Sequence, residues 1–199
     1  MRKGLSMVVV VCCSLCCSVS GYGQDIYVSR DASISFFSSA PIEDIQAKTD
    51  KAVSAINLET GAVFFKVPVQ SFQFERELMQ EHFNSDYLES DKYPYAEFRG
   101  KIRDIPALTT DGTYPVTVDG QLTIHGVPKA YQGPGTIEVK DGQITAVATF
   151  QVRLADHHIK IPSILSRNIA EVVKVSVDAA YKPQKEAGSP PQKSTGSTP

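Results

Sequence analysis

Cysteine is missing from nearly all of this 199-residue chain, and tryptophan is missing from the whole of it. The only cysteines are Cys12, Cys13, Cys16 and Cys17. The rest of the sequence therefore has no disulfide scaffold, thiol nucleophile or cysteine-based zinc site. An excess of positive charge is also missing, because 20 Lys and Arg stand against 22 Asp and Glu. Nucleic-acid binding requires many neutralised phosphates, so we expect no nucleic-acid partner.

The common catalytic motifs are missing too. The sequence has no G-x-S-x-G, no phosphate-binding glycine loop and no H-E-x-x-H. Its histidines are His82, His125, His157 and His158. A zinc site formed by the last three is an alternative, but neighbouring side chains on a strand point to opposite faces, which separates His157 from His158. We therefore expect no catalytic residue, no metal and no cofactor.

The first 23 residues have the layout of a secretory signal peptide. Arg2 and Lys3 precede an apolar run from Leu5 to Leu15, and small residues follow it. The run is too short for a stable membrane anchor. It predicts export to the periplasm or the exterior. A membrane lipoprotein is the alternative, although none of the four cysteines follows the small residue that lipidation requires.

The last segment, residues 183–199, is rich in Pro, Ser and Gly and contains no large apolar residue. Such a segment cannot bury enough surface to offset its ordering entropy, so we expect a disordered tail. The intervening residues, 24–182, are long enough for one domain with a sizeable core.

Strict alternation of apolar and polar residues runs through this domain. It is clearest at Val116–Ile124, Ile144–Leu154, Val63–Val69 and Ala96–Ile102. Strands with one apolar face form antiparallel sheets. Asp141-Gly142 suits a two-residue hairpin, and Gly133-Pro-Gly135 also has the composition of a turn. The pattern predicts an all-β fold, a closed barrel or a sandwich.

One helix is predicted to interrupt the strands, between Phe74 and Leu88. Leu78, Met79, His82 and Phe83 recur at helical spacing on one face. Glu75 and Glu77 stand in its first turn, where the helix dipole favours negative charge.

The sequence resembles the YceI family. The matching stretches are Val67-Pro-Val-Gln-Ser-Phe-Gln-Phe-Glu-Arg-Glu-Leu-Met-Gln-Glu-His-Phe83, Leu88-Glu-Ser-Asp-Lys-Tyr-Pro94 with Glu97-Phe98, Val118-Asp-Gly-Gln-Leu-Thr-Ile-His-Gly-Val127 and Phe150-Gln-Val-Arg-Leu-Ala-Asp156. The resemblance implies an extended, lipocalin-like antiparallel β-barrel of about eight strands with one short inserted helix. An eight-stranded barrel has room for one small ligand.

The resemblance also implies a binding protein, not an enzyme. Its ligand would be an amphiphilic lipid, such as a polyisoprenoid or an isoprenoid quinone, held inside the barrel. Further partners to test are a membrane surface, for ligand exchange, and a second copy of the chain. A cell-envelope interaction module with a filled core and a metal-dependent hydrolase are the competing hypotheses.

The inward parity of the strands beside the helix predicts which residues would contact such a lipid. His82 is included as a partner for a polar head group, although a helix-surface role is the simpler interpretation. The predicted contacts are Phe65, Val67, Phe72, Phe74, Met79, His82, Phe83 and Phe98.

Overall fold

The computed structural model describes residues 26–161 and 169–184. The predicted signal peptide lies outside this range, as does the predicted tail after Gln184. In the described part of the chain, no helix has the length and apolar character needed to cross a membrane.

Nine strands make up most of the described structure. They are β1 Ile26–Ser39, β2 Asp44–Asn57, β3 Ala62–Pro68, β4 Gln73–Phe74, β5 Tyr95–Arg103, β6 Gly112–Ile124, β7 Val127–Lys140, β8 Gln143–Arg153 and β9 Val172–Pro183. A helix, α1 (Glu77–His82), continues into a π-helical turn at Phe83–Tyr87. Single 3₁₀ turns lie at Val69–Ser71 and Leu154–His157.

The strands close into an antiparallel barrel. The order is β1-β9-β8-β7-β6-β5-β3-β2, and β2 pairs again with β1. The two-residue strand β4 adds to the start of β2. Closure leaves no exposed edge in these eight strands, which removes the usual route to edge-to-edge aggregation. The predicted all-β, eight-stranded barrel with one short helix is confirmed.

Side-chain alternation follows the sequence pattern. On β3, Val63 and Val67 are buried, whereas Phe64 faces outwards beneath the guanidinium of Arg99. The predicted hairpin between β7 and β8 is also confirmed. Asp141 and Gly142 both have positive φ, at 51° and 75°, as a type I′ turn requires.

The turn predicted at Gly133-Pro-Gly135 is wrong. These residues lie within β7 and pair with β6, Pro134 opposite Thr117. The β7–β8 ladder reaches only as far as Gly135 opposite Ala148. Beyond that pair Pro134 has no N–H to donate, and prolines in sheets occur where a ladder is not needed. The Gly-Pro-Gly sequence therefore marks the end of the β7–β8 hydrogen-bond ladder and not a turn.

One end of the barrel, which we call the floor, is densely packed. Ile56, Ile102, Val139, Ile144 and Tyr181 are all at least nine-tenths buried there. Side chains from the β5–β6 connection, including Ile105 and Leu108, pack against this cluster. The floor thus closes the barrel with aliphatic side chains.

The opposite end, the mouth, carries the helical elements. The predicted helix is present, but regular α-helix spans only Glu77–His82. The π-helical turn bonds Leu88 N–H to Phe83 O at 2.9 Å, and Leu88 is buried. Such π turns widen a helix locally and occur often near functional sites.

Candidate functional site

A cavity of about 510 Å³ occupies the barrel between the mouth and the floor. Its wall is almost entirely apolar and is formed by inward side chains of the barrel strands together with α1. Sites for small molecules commonly have this volume and this apolar character. The cavity is therefore the first candidate for a binding site.

Four phenylalanines cluster at the mouth end of the cavity. Phe36 comes from β1, Phe72 immediately precedes β4, Phe74 is the second residue of β4, and Phe83 follows α1. The ring of Phe83 lies 5.0 to 5.7 Å from the other three ring centroids. These separations are typical of favourable aromatic pairs. The cluster fixes the helical segment against the barrel and gives the cavity a rigid aromatic border.

All the residues predicted to contact a lipid border this cavity: Phe65, Val67, Phe72, Phe74, Met79, His82, Phe83 and Phe98. Their inward orientation follows from strand parity. Met79 and Phe83 turn towards the barrel, whereas His82 is exposed at the mouth. Their convergence is a structural fact, and ligand contact by each of them stays a prediction.

The opposite wall of the cavity is lined by residues that the sequence analysis did not single out. Gly135 of β7 pairs with Ala148 of β8, and Gly133 and Ala146 border the same wall of the cavity. A Cβ added at Gly133 would meet nothing closer than the Phe150 Cβ, at 3.8 Å. The absence of side chains here creates the free volume. Gly133, Gly135 and Ile137 follow one another at intervals of two residues, and this spacing could have indicated that the glycines face the interior.

Phe98 lies against a second pair of glycines. Gly100 and Gly120 are directly opposite each other on β5 and β6. An added Cβ would lie 2.6 Å from the Phe98 ring at Gly100 and 2.7 Å from it at Gly120. Only glycine therefore allows the ring to lie flat on the sheet, as when an aromatic side chain covers glycines in a strand.

A buried polar pair sits at the bottom of the cavity. The Ser54 hydroxyl donates to Phe64 O at 2.9 Å, so Tyr181 donates its own proton to Ser54 Oγ at 2.7 Å. Burial raises the pKa of Tyr181 to about 12. The phenol therefore stays protonated and adds no charge to the cavity.

Among the described residues, the charged groups that border the cavity, Glu43, Arg76 and Glu97, lie towards its mouth. Arg76, at the start of α1, forms an ion pair with Glu43 in the β1–β2 connection. Both residues border the cavity. The ion pair links two separate elements of the mouth, while the interior holds no ion pair among the described residues.

The histidines hold loops together. His157 is fully buried, donates from Nδ1 to Val127 O at 2.9 Å and accepts from the Tyr131 hydroxyl at 3.0 Å. Burial lowers the pKa of His157, and the bond to Val127 partly opposes that shift. His125 contacts Glu89 at 2.6 Å and His157 O at 3.3 Å. The hydrogen bond from His125 lowers the pKa of Glu89.

These contacts leave the zinc alternative without support. Both ring nitrogens of His125 and both of His157 already face protein partners. The expectation that His157 and His158 share a strand is wrong, because they end a 3₁₀ turn with His158 exposed at a φ of 59°. Within the described residues, no three metal-binding side chains converge.

Comparison with known proteins agrees with this architecture. The family model described as the YceI-like domain matches residues 29–181. The chain belongs to the YceI family. This match extends over the whole barrel, from β1 to β9. No curated protein matches the sequence.

Solved structures share the YceI barrel at low sequence identity. A polyisoprenoid binding domain from Saccharophagus degradans is 15% identical with a TM-score of 0.69, covering 81% of this chain and 99% of that one. BcnA from Burkholderia cenocepacia is 16% identical with a TM-score of 0.64, covering 76% and 96%. A YceI protein from Campylobacter jejuni is 19% identical with a TM-score of 0.53, covering 68% and 81%.

Proposed function

We propose that this YceI-family protein binds the apolar chain of an amphiphilic lipid, a polyisoprenoid or an isoprenoid quinone, inside its barrel. The observation that carries the proposal is the cavity of about 510 Å³ with its apolar wall. The structural relative from Saccharophagus degradans is named as polyisoprenoid binding, which supports the same class of ligand.

The driving force is removal of the lipid chain from water. Each buried CH₂ contributes about 0.8 kcal/mol. The aromatic border made by Phe36, Phe72, Phe74 and Phe83 favours a flat, unsaturated chain, because aromatic faces pack well against such groups. A chain would lie between this border and the bare backbone of Gly133 and Gly135.

The polar head group would remain at the mouth. Arg76, Glu43 and His82 border the cavity there and are at least partly exposed. At the bottom of the cavity the Tyr181–Ser54 pair is neutral. A charged head group would lose its hydration inside the barrel without gaining a partner. The protein would therefore hold its ligand tail first.

Binding and transport of a lipid, without chemical change, is the role we assign. Two of the three histidines considered for a zinc site, His125 and His157, are engaged in structural hydrogen bonds. A filled-core interaction module fits less well because the centre of the barrel is open. Export by the first 23 residues is part of the proposal and would bring the protein to membranes that contain such lipids.

The decisive experiment is extraction of protein purified from its native host with organic solvent, followed by mass spectrometry. We expect a prenyl lipid close to one per chain. The same preparation should take up added polyprenol or quinone after delipidation. A clean extract together with no uptake of either lipid would overturn the proposal.

A further inference from the structure

The mouth of the barrel displays exposed apolar side chains beside the cavity. Leu78 on α1 is 62% exposed and Ile42 in the β1–β2 connection is 58% exposed. They are the two most exposed large apolar side chains in the described residues. We call this pair, together with Phe37 of β1, the rim patch.

The rim patch is held together by the ion pair at the mouth. Ile42 immediately precedes Glu43, and Leu78 lies two residues after Arg76. The Arg76–Glu43 ion pair joins the two elements that carry these apolar residues. Phe37 borders a shallow groove with Glu43, Arg76 and Met79. Phe37 therefore borders the groove that contains the ion pair, and Ile42 and Leu78 lie within two residues of its partners in the sequence.

The rim patch adjoins the cavity through Leu78. Leu78 and Met79 border the cavity, and Met79 also borders the groove beside Phe37. An apolar chain leaving the barrel at this end would pass from one apolar surface to the next. Exposed apolar side chains of this kind mark contact sites for a protein or a membrane.

The size and the charge of the region decide between these two partners. A stable protein interface requires about 20 to 30 residues on each side, far more than the rim patch supplies. Exposed acidic residues surround the patch on α1 and before it, namely Glu75, Glu77 and Glu81. The nearby Arg76 is already paired with Glu43. Two copies would bring like charges together, which opposes self-association.

We propose that the rim patch docks the barrel mouth onto an uncharged or zwitterionic lipid bilayer. This inference rests on the proposed lipid-binding function and adds the surface through which the lipid is exchanged. Docking lets the lipid chain move between bilayer and cavity without crossing water. The acidic residues around the patch disfavour an anionic bilayer, because like charges repel at its surface.

The test measures transfer of a fluorescent polyprenol from phosphatidylcholine vesicles to the full chain. The double variant Phe37→Ser/Ile42→Ser changes two exposed residues that do not border the cavity. It should transfer the lipid about tenfold more slowly, equivalent to about 1.4 kcal/mol. Val53→Ser is the matched control, since Val53 is an exposed strand residue at 39% that does not border the cavity. Its transfer rate should equal that of the unaltered chain.

A second measurement separates docking from binding. In detergent micelles, where no bilayer is present, the double variant should bind polyprenol as tightly as the unaltered chain. Circular dichroism verifies that each variant is folded, and Ile42→Ser alone serves if the double variant is not. The apolar segment Leu5–Leu15 is common to all variants, so it cannot account for a difference.

Lipid charge gives the third comparison. Adding phosphatidylglycerol to the vesicles should slow transfer, and Glu77→Gln/Glu81→Gln should reduce that effect. Equal transfer by the double variant and the unaltered chain would overturn the inference while leaving lipid binding intact. Faster transfer from anionic vesicles, or a dimer that Leu78→Ser dissociates, would also overturn it. Failure of the unaltered chain to bind polyprenol in micelles as well as vesicles would overturn the proposed function.

Discussion

The floor and the mouth of the barrel are built from the same alternating strands yet differ in what fills them. At the floor, branched aliphatic residues such as Ile144 and Val139 pack against Ala179 and Tyr181. Towards the mouth, glycine and alanine on β7 and β8 face the phenylalanine cluster across open space. We therefore expect the floor to supply stability and the mouth end to supply the proposed ligand site.

Truncation of the floor should have the largest effect on stability. Ile144 is 5% exposed, belongs to the core cluster and does not border the cavity. We expect Ile144→Ala to lower the free energy of unfolding by about 2 to 5 kcal/mol, because it creates a void that the closed barrel cannot collapse. Urea denaturation measures this. Polyprenol affinity of the folded variant should be unchanged, and a parallel loss of affinity would break the division between the two ends.

A larger side chain on the open wall of the cavity should reduce lipid affinity and leave stability nearly unchanged. Gly133 has no positive φ and has room for a side chain. Gly133→Leu should weaken polyprenol binding at least about tenfold, or about 1.4 kcal/mol, because the new side chain occupies the cavity. The free energy of unfolding should change little. Ala130→Leu, an exposed outward position on the same strand, is the control and should bind normally. Undiminished binding by the Gly133 variant would place the ligand elsewhere.

Acid should lower the free energy of unfolding through His157, which lies at the mouth end of the barrel. Burial lowers the pKa of His157 in the folded state, whereas the unfolded residue keeps a pKa of about 6.5. The unfolded chain therefore binds more protons, and stability falls as the pH drops below about 6.5 towards the folded value. Unfolding free energies measured across this range should show the loss, and His157→Gln should flatten it. An unchanged slope in that variant would assign the effect to another group.

The smallest effect is expected from the polar pair at the cavity bottom. Tyr181→Phe removes the hydrogen bond to Ser54, but Ser54 still donates to Phe64 O. No buried donor is orphaned, so the loss should be about 1 kcal/mol. Thermal unfolding of Tyr181→Phe beside Ser54→Ala checks this. A larger loss for Tyr181→Phe than for Ser54→Ala would mean that the phenol has a further role.

Periodicity predicted an all-β fold and one wall of the cavity, and the family resemblance implied that the fold is a barrel. For large apolar residues such as Phe65, Val67 and Phe98, alternation along the strand predicts that the side chain points inwards. All three border the cavity. Gly133 and Gly135 have no side chain that could contribute to an alternating pattern. The Gly-Pro-Gly composition therefore led to the prediction of a turn. Pairing of Pro134 with Thr117 keeps this segment in β7, and that contact is distant in the sequence.

The loop contacts at the mouth lay beyond sequence reasoning for a related reason. His157 forms hydrogen bonds with Val127 and Tyr131, which lie about thirty positions away in the sequence. The closure of the barrel brings these residues together. The short α1 likewise becomes a π turn because Phe83 and Leu88 are both drawn into packed positions. Helical spacing alone gives no sign of either outcome.

The central claim, that the barrel interior holds an apolar chain, can be tested directly by NMR with methyl-labelled valine. Val67 and Val118 border the cavity, whereas Val53 is exposed on the outer face. We predict nuclear Overhauser contacts from bound polyprenol to the methyl groups of Val67 and Val118 and none to Val53. Contacts confined to Val53, or saturating lipid with no contact to either interior valine, would contradict the account.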